Sequence, residues 1–251
     1  MALHITSKTK PLRVQPASKD ELRFLIKEAL EQQGPDADLN FIDTSEITDM
    51  SHLFSFVADP YVIHPRNIKI DEWNTSKVTD MSYMFVDCPC LYCDPSRWNV
   101  SGVRDMSNMF EDCREFDCDF SSWDTSSVLN ISKMFVGCWR FRGDGLPCWN
   151  VQSLQKMESA FKHCHILNCD LSGWEFSGPV NMLYAFDGCY SFNKEHKPQQ
   201  VHRTSKSPQS ILNAINNLAA LQNAAMNRYN CNDALIMNEK LYNILFNNTS
   251  D

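Results

Sequence analysis

Two clusters of cysteine and histidine have the spacing of metal ligands. The first is Cys88-Pro-Cys90-Leu-Tyr-Cys93, and the second is His163-Cys164-His165. Thiolates and imidazoles at such spacing can surround a tetrahedral zinc ion. A repeat that runs along the chain accounts for Cys88, Cys93 and Cys164 without a metal, so we predict no metal site and no other cofactor.

Three aspartates also recur at a fixed place. Asp94, Asp119 and Asp170 each stand four residues before a tryptophan. In a stack of repeats they would form a ladder of carboxylates, which is one way to bind calcium. Carboxylates that accept hydrogen bonds from backbone amides at corners are the simpler interpretation, so we predict no bound calcium. The same three aspartates are our candidate partner-binding residues.

The spacing of these residues follows a repeat of about 25 residues. Tryptophans stand at positions 73, 98, 123, 149 and 174, and a Phe-x-x-Cys pair begins twelve residues after each of them. A degenerate earlier copy begins at Ile42, so that six copies occupy 42–193. A fixed period of this length is the signature of a solenoid, in which each repeat buries its apolar face against its neighbours.

Each repeat is predicted to contain one short helix and one short strand. Met81, Met84, Phe85 and Cys88 stand at i, i+3, i+4 and i+7, which is the apolar stripe of two helical turns. The segment 116–123, between one cysteine and the next tryptophan, is too short for a second helix and is predicted as a strand. The predicted fold class is therefore an α/β solenoid, a stack of about six coils.

The two ends of the chain are predicted to be helical. Residues 1–41 form an N-terminal extension with a capping helix, in which Ser18 and Glu21 make a capping box and Gly34 ends the helix. Beyond the repeats, 194–207 is polar and lacks periodicity, as in a linker, and 208–251 is predicted as a helical hairpin. The hairpin has two possible docking places, the last repeat or another chain.

Composition narrows the class of protein. Hydrophobic residues make up 43% and charged residues 22% of the chain, and no apolar run approaches the length of a membrane span. The first residues lack an apolar export segment, and the eleven cysteines then indicate reduced thiols. These features predict an intracellular location, cytoplasmic or virus-associated, with no signal peptide and no transmembrane segment.

Charge narrows the class of partner. Residues 41–192 contain 21 acidic and 11 basic side chains. Binding of nucleic acid needs a basic face, so we predict no nucleic-acid partner and favour a basic protein. No Ser/His/Asp set and no glycine-rich phosphate loop appears, so we predict no catalytic residues and no enzyme.

The repeat carries a family resemblance. The pattern Trp-(Asp/Asn)-(Thr/Val)-Ser-x-Val-x-x-Met-Ser-x-Met-Phe-x-x-Cys, seen in 73–88 and 98–113, resembles the BspA-like leucine-rich repeat family, also described as the mycoplasma-type lipoprotein repeat. The resemblance implies that the predicted stack is leucine-rich-repeat-like and that it serves protein binding or adhesion. We therefore predict a non-enzymatic protein–protein interaction module. The alternatives are a structural component of a larger assembly, such as a viral particle or cell-surface layer, or a surface adhesin.

Overall fold

A computed structural model describes residues 13–55 and 63–199. The chain divides into two units, Met1–Val201 and His202–Asp251, and the described residues all belong to the first. The predicted helical hairpin at 208–251 and most of the predicted linker lie outside the described residues. The six repeats are numbered here by their sequence ranges, which are 42–55, 73–88, 98–113, 123–138, 149–164 and 174–189.

One α-helix precedes the repeats. Helix α1 spans Lys19–Gln33, and the hydroxyl of Ser18 accepts a hydrogen bond from the N–H of Glu21 (3.2 Å). The helix ends at Gly34, which has a φ of 82° and donates its N–H to the carbonyl of Leu30 (2.9 Å). The helix that the sequence predicts between Ser18 and Gly34 is therefore confirmed. It buries one face against the repeats, and that face consists of Leu22, Ile26, Ala29 and Leu30.

The predicted α/β solenoid is wrong. Within 13–55 and 63–199, α1 is the single α-helix, and no β-strand is present. Two short 3₁₀ segments, Leu146–Cys148 and Lys194–His196, are the other regular elements of these ranges. A leucine-rich-repeat coil of one strand plus one helix is therefore not the building unit of this part of the chain.

Tight turns replace the predicted helix in each repeat. In the third repeat, the N–H of Met109 donates to the carbonyl of Met106 (3.3 Å), and the N–H of Cys113 donates to that of Phe110 (3.1 Å). The third residue of each turn has a positive φ, 58° at Asn108 and 60° at Asp112. A helix has negative φ throughout, whereas a type II turn has a positive φ at its third position. Two such turns in succession place apolar residues at i, i+3, i+4 and i+7, as a helix would.

Turns also replace the predicted strand. In 116–123, the N–H of Phe116 donates back to the carbonyl of Cys113, and the N–H of Trp123 donates back to that of Phe120 (both 3.1 Å). These local bonds close turns at both ends of the segment. Between the turns, the N–H of Phe120 donates to the carbonyl of Asp144 in the next copy (3.0 Å), but this contact does not extend into a regular strand within 116–123.

Successive repeats lie in register. Isolated parallel bridges join equivalent residues, of which Asp80↔Asp105 and Asp105↔Asn130 are examples. Between the third and fourth repeats, the N–H groups of Met106, Asn108 and Phe110 donate to carbonyls of 130, 132 and 134, each over 2.9 Å. The 25-residue period therefore corresponds to a stack in which each repeat is bonded to the next through its backbone.

The recurring side chains form the core of this stack. Phe85, Phe110, Phe135 and Phe161 are fully buried, and the rings of successive repeats stack with centroids 5.5–5.8 Å apart. The five recurring tryptophans are buried, and each donates its indole N–H to a backbone carbonyl that lies ahead of the preceding tryptophan or repeat copy, as Trp98 does to Ile70 (3.0 Å). A buried tryptophan needs such an acceptor, which explains why this residue recurs.

Candidate interaction surface

Two cysteines of the suggested zinc clusters, Cys88 and Cys164, lie in the core, whereas Cys93 is partly buried and Cys90 is exposed. Cys164 is buried, and its Sγ donates to the carbonyl of Phe135 (3.0 Å), in the same way that Cys113 donates to Phe85 (3.0 Å). Burial raises the pKa of both thiols well above the ordinary value. A zinc ligand is a thiolate, so protonated, hydrogen-bonded thiols are poor ligands. The described residues bring together no group of three or more histidine, cysteine or acidic side chains able to hold a metal ion.

The three candidate aspartates lie at equivalent corners of three repeats. All three are exposed. Each carboxylate accepts the N–H of the serine two residues later: Asp94 from Ser96 (3.0 Å), Asp119 from Ser121 (2.8 Å), Asp170 from Ser172 (2.9 Å). Hydrogen bonds from the hydroxyl and N–H of these serines lower the pKa of Asp94 and Asp170, so both stay charged. This hydrogen bond, common to all three aspartates, closes a corner of the repeat. That the aspartates bind a partner remains a prediction.

A polar pocket lies beside one of these corners. Asp119 lines an open pocket of about 630 Å³ together with Arg97, Ser121 and Asp124. The pocket holds side chains of both charges, and it is shallow and open to solvent. Its lining therefore does not favour a ligand of either charge. The pocket identifies no class of ligand and is described here as a polar surface.

A row of stacked side chains forms the most distinctive exposed surface. The residue that follows the cysteine in four successive repeats is Arg114, Trp139, His165 or Tyr190, and this set is called the aromatic ladder. The guanidinium carbon of Arg114 lies 4.7 Å from the ring centroid of Trp139. The centroids of Trp139 and His165 are 5.6 Å apart with rings 13° from parallel, and those of His165 and Tyr190 are 5.1 Å apart.

The repeat backbone sets the spacing of the ladder. Each ladder residue follows a cysteine whose Sγ is bonded to the preceding repeat, as Cys138 is to Phe110 (3.0 Å). Backbone hydrogen bonds also join the ladder positions, because the N–H of Arg140 donates to the carbonyl of Arg114 (3.1 Å). The same bond joins Ser191 to His165 (3.2 Å). The rings are therefore held in position by the backbone as well as by their mutual contact.

The ladder combines exposure with residue types that dominate protein interfaces. Trp139 is 41% exposed and Tyr190 80% exposed, although large aromatic side chains are usually covered. Exposed Ile166 extends the apolar surface, and the ion pair of Arg140 with Glu115 (3.4 Å) lies along its rim. An apolar centre with a charged rim is typical of a protein-binding site.

Sequence reasoning missed the ladder because its residues share no identity. The repeat alignment does place the four residues in one column, immediately after the repeat cysteine. A flat side chain, cationic or aromatic, in that column of four successive copies is the signal that would have found it. Among the described residues, no helix is long and apolar enough to cross a membrane.

Comparison with known proteins identifies a family. Residues 26–145 and 118–226 match the family described as "Mycoplasma protein of unknown function, DUF285". Together the two matches cover most of the chain and all of its recurring tryptophans. No curated protein and no solved structure matches the chain. The chain therefore belongs to the DUF285 family of mycoplasma-type proteins.

Proposed function

We propose that this chain is a non-enzymatic protein-binding module and that the aromatic ladder is its contact surface. The stack of Arg114, Trp139, His165 and Tyr190, in which His165 is half-buried and the other three are exposed, supports this proposal most directly. Tryptophan, tyrosine and arginine are the residues that most often carry binding energy at protein interfaces. A stacked row also loses little side-chain freedom on binding, because its rings are already positioned.

The expected partner is a protein with net positive charge. The chain has a formal net charge of -8 and a sequence pI of about 5.3. Long-range attraction of a basic partner would raise its association rate, whereas the ladder would hold the complex once formed. The affinity of such a complex is expected to depend on the ladder and its association rate on ionic strength.

We further propose an intracellular location and a BspA-like character for the repeats. The cysteines at 88, 113, 138 and 164 are buried free thiols, which fits a reducing compartment. The BspA-like assignment within the broader family rests on the sequence pattern of 73–88 and 98–113.

Site-specific crosslinking tests the ladder. A photo-reactive phenylalanine analogue replaces Trp139 in the full-length protein, and the same analogue replaces exposed Arg97, on the polar corner pocket, as a matched control. The two proteins are irradiated in their native source, and the crosslinked polypeptides are identified by mass spectrometry. A polypeptide captured from position 139 and not from position 97 is the expected result.

The captured protein is then purified and titrated. Trp139→Ala is expected to weaken its binding about thirtyfold, the effect of a loss of about 2 kcal/mol, whereas Arg97→Ala leaves the affinity within about twofold. Unfolding of both variants in urea checks that the fold is unchanged. Equal affinity of wild type and Trp139→Ala would contradict the proposal. A partner that co-purifies at fixed stoichiometry would instead favour an assembly component.

A further inference from the structure

Three cysteines outside the repeat ranges lie in one column of the stack. Cys93, Cys118 and Cys169 each stand five residues before a recurring tryptophan, and Gly143 takes the equivalent place after the fourth repeat. All three thiols are free, partly buried and packed against the core. Cys93 and Cys118 follow consecutive repeats, the second and the third, and are called the thiol pair.

The thiol pair is held less tightly than the cysteines inside the repeats. Those at 113, 138, 164 and 189 donate to a carbonyl of the preceding repeat over 2.9–3.0 Å. The Sγ of Cys118 has longer contacts, 3.8 Å to a carboxylate oxygen of Asp94 and 3.6 Å to the carbonyl of Asp119. Asp94 directly follows Cys93, so the sulfur of Cys118 lies beside its neighbour in the column and is held there by weak contacts.

Hydrogen bonds join the two segments on both sides of the thiol pair. The N–H of Glu115 donates to the carbonyl of Pro89 (3.1 Å), and the indole N–H of Trp123 donates to the carbonyl of Pro95 (3.0 Å). Segments paired in this way run about 4.8 Å apart. A disulfide spans Cα atoms about 4.4–6.8 Å apart, so the backbone places the thiol pair within the reach of one.

Gly143 shows how far a sulfur in this column reaches. A Cβ at position 143 would lie 2.7 Å from the Sγ of Cys169. In a disulfide, each sulfur lies about 3 Å from the Cβ of the partner cysteine. The sulfur of Cys169 therefore reaches the equivalent residue of the preceding copy, but glycine offers it no thiol. At the thiol pair, that preceding residue is Cys93.

We propose that the thiol pair is a redox site, at which Cys93 and Cys118 form a disulfide when a low-molecular-weight disulfide such as oxidised glutathione is present. One protein thiolate attacks a sulfur of oxidised glutathione and releases one molecule of reduced glutathione. The second thiolate then attacks the mixed disulfide and releases the other. The two protein thiols lose two protons and two electrons, and both electrons reduce the glutathione disulfide. This site is separate from the aromatic ladder and does not depend on it.

The disulfide would join two of the three candidate partner-binding aspartates. Asp94 and Asp119 directly follow the two cysteines, and each closes its corner by accepting the N–H of a serine. A covalent bond between 93 and 118 would fix the spacing of these two carboxylates. In a reducing compartment the pair stays as free thiols, as in this structure.

The environment of the pair makes the reaction slow at neutral pH. Burial raises the pKa of Cys118 to about 12 and that of Cys93 well above the ordinary value, and the charge of Asp94 raises both further. The thiolate is the nucleophile, so its small fraction limits the rate. The rate of disulfide formation is therefore expected to rise about tenfold for each pH unit between about pH 7 and pH 9.

Peptide mapping tests the proposal. The full-length protein is incubated with oxidised glutathione at about pH 8, the remaining thiols are alkylated, and the protein is digested with trypsin without reduction. A crosslink between the peptides 78–97 and 115–133 is expected, and Cys118 is the one cysteine of the second peptide. The crosslink is expected to persist in Cys90→Ser and to disappear in Cys93→Ser. Cys169, whose neighbour is Gly143, is the internal control and is expected to form no bond with another cysteine of the stack.

Urea unfolding of the oxidised protein completes the test. A bond that fits the folded stack raises the midpoint of unfolding, because it closes a loop of the unfolded chain. No such rise is expected in Cys118→Ser after the same treatment. Three results would overturn the proposal: a bond between Cys90 and Cys93 in place of the crosslink, glutathione attached to Cys118 with no crosslink, or a crosslinked protein that unfolds at lower urea than the reduced one.

Discussion

The two ends of the repeat stack are covered differently among the described residues. The first repeat is covered by helix α1, and the cations of that helix contact the acceptors of the repeat: Arg23 donates to the carbonyl of His52 (2.8 Å), and Lys19 to the carboxylate of Asp49 (3.0 Å). The sixth repeat presents N–H donors with no acceptor among the described residues. Hydrogen bonds between repeats run in both directions, as those of Met106 with Asn130 and of Ser191 with His165 show, so the two ends differ in what covers them among the described residues and not in bond direction.

Burial follows the same asymmetry. Phe54 in the first repeat is fully buried and stacks on Phe85 with centroids 4.9 Å apart. Phe186 in the sixth repeat is only partly buried. Because buried apolar area supplies most of the stabilising free energy, the N-terminal end is expected to be the more stable of the two.

The largest effect on stability is expected from replacing Phe54, and replacing Phe186 serves as the comparison. Phe54→Ala leaves a cavity against Phe85 and Trp73, and it is expected to lower the free energy of unfolding by about 3–5 kcal/mol. Phe186→Ala removes a ring that is only partly buried, and a loss of about 1–2 kcal/mol is expected. Urea unfolding of the full-length variants measures both. Equal losses would show that the C-terminal end is covered as well as the N-terminal end.

A smaller effect is expected at the helix that closes the N-terminal end. The Nζ of Lys19 contacts both carboxylate oxygens of Asp49 (3.0 Å each) and the hydroxyl of Ser51. Lys19→Met keeps the length of the side chain and removes these bonds, so a loss of about 1 kcal/mol in unfolding free energy is expected. Lys77→Met, which breaks the exposed pair of Lys77 with Glu46, is the control and should cost less than about 0.5 kcal/mol. Similar losses in both variants would mean that α1 is held by apolar contacts alone.

The sequence predicted the period and the core of the stack but not its backbone. Phe110 and Cys113 recur because both are buried between neighbouring repeats, and that pattern is visible in one sequence. The same pattern was assigned to a helix because two consecutive turns give the same apolar spacing. The third turn positions distinguish the two structures: Asn108, Asp112 and Gly137 are residue types that favour positive φ and weaken a helix.

The candidate surface was harder to predict for a related reason. Repeat reasoning finds what recurs, whereas Arg114, Trp139, His165 and Tyr190 differ in every copy. Their relation is one of shape, since each presents a flat group at the same place in the stack. Helix α1, by contrast, was predictable because its capping residues act locally, within a few residues of each helix end.

The smallest expected effect is the pH dependence of the N-terminal end. Burial lowers the pKa of His52 from the value of 6.5, and the positive charges of Lys19 and Arg23 lower it further. A depressed pKa means that the folded state binds the proton less readily than the unfolded chain. The stability that His52 contributes is therefore complete above pH 6.5 and is lost as the pH falls through the folded pKa.

Replacement of His52 tests this contribution. Asparagine tolerates the φ of 59° at position 52 and does not titrate, so His52→Asn is expected to flatten the loss of stability between about pH 7 and pH 5. Because solvent screens the charges around this exposed side chain, the change is expected to be no more than a few tenths of a kcal/mol. In a Lys19→Met background the flattening should be smaller, because one of the two repelling cations is gone. Unfolding curves at several pH values measure both effects. A flattening of equal size in the two backgrounds would show that the charge of Lys19 does not contribute to the shift, which would leave burial and Arg23 as its causes.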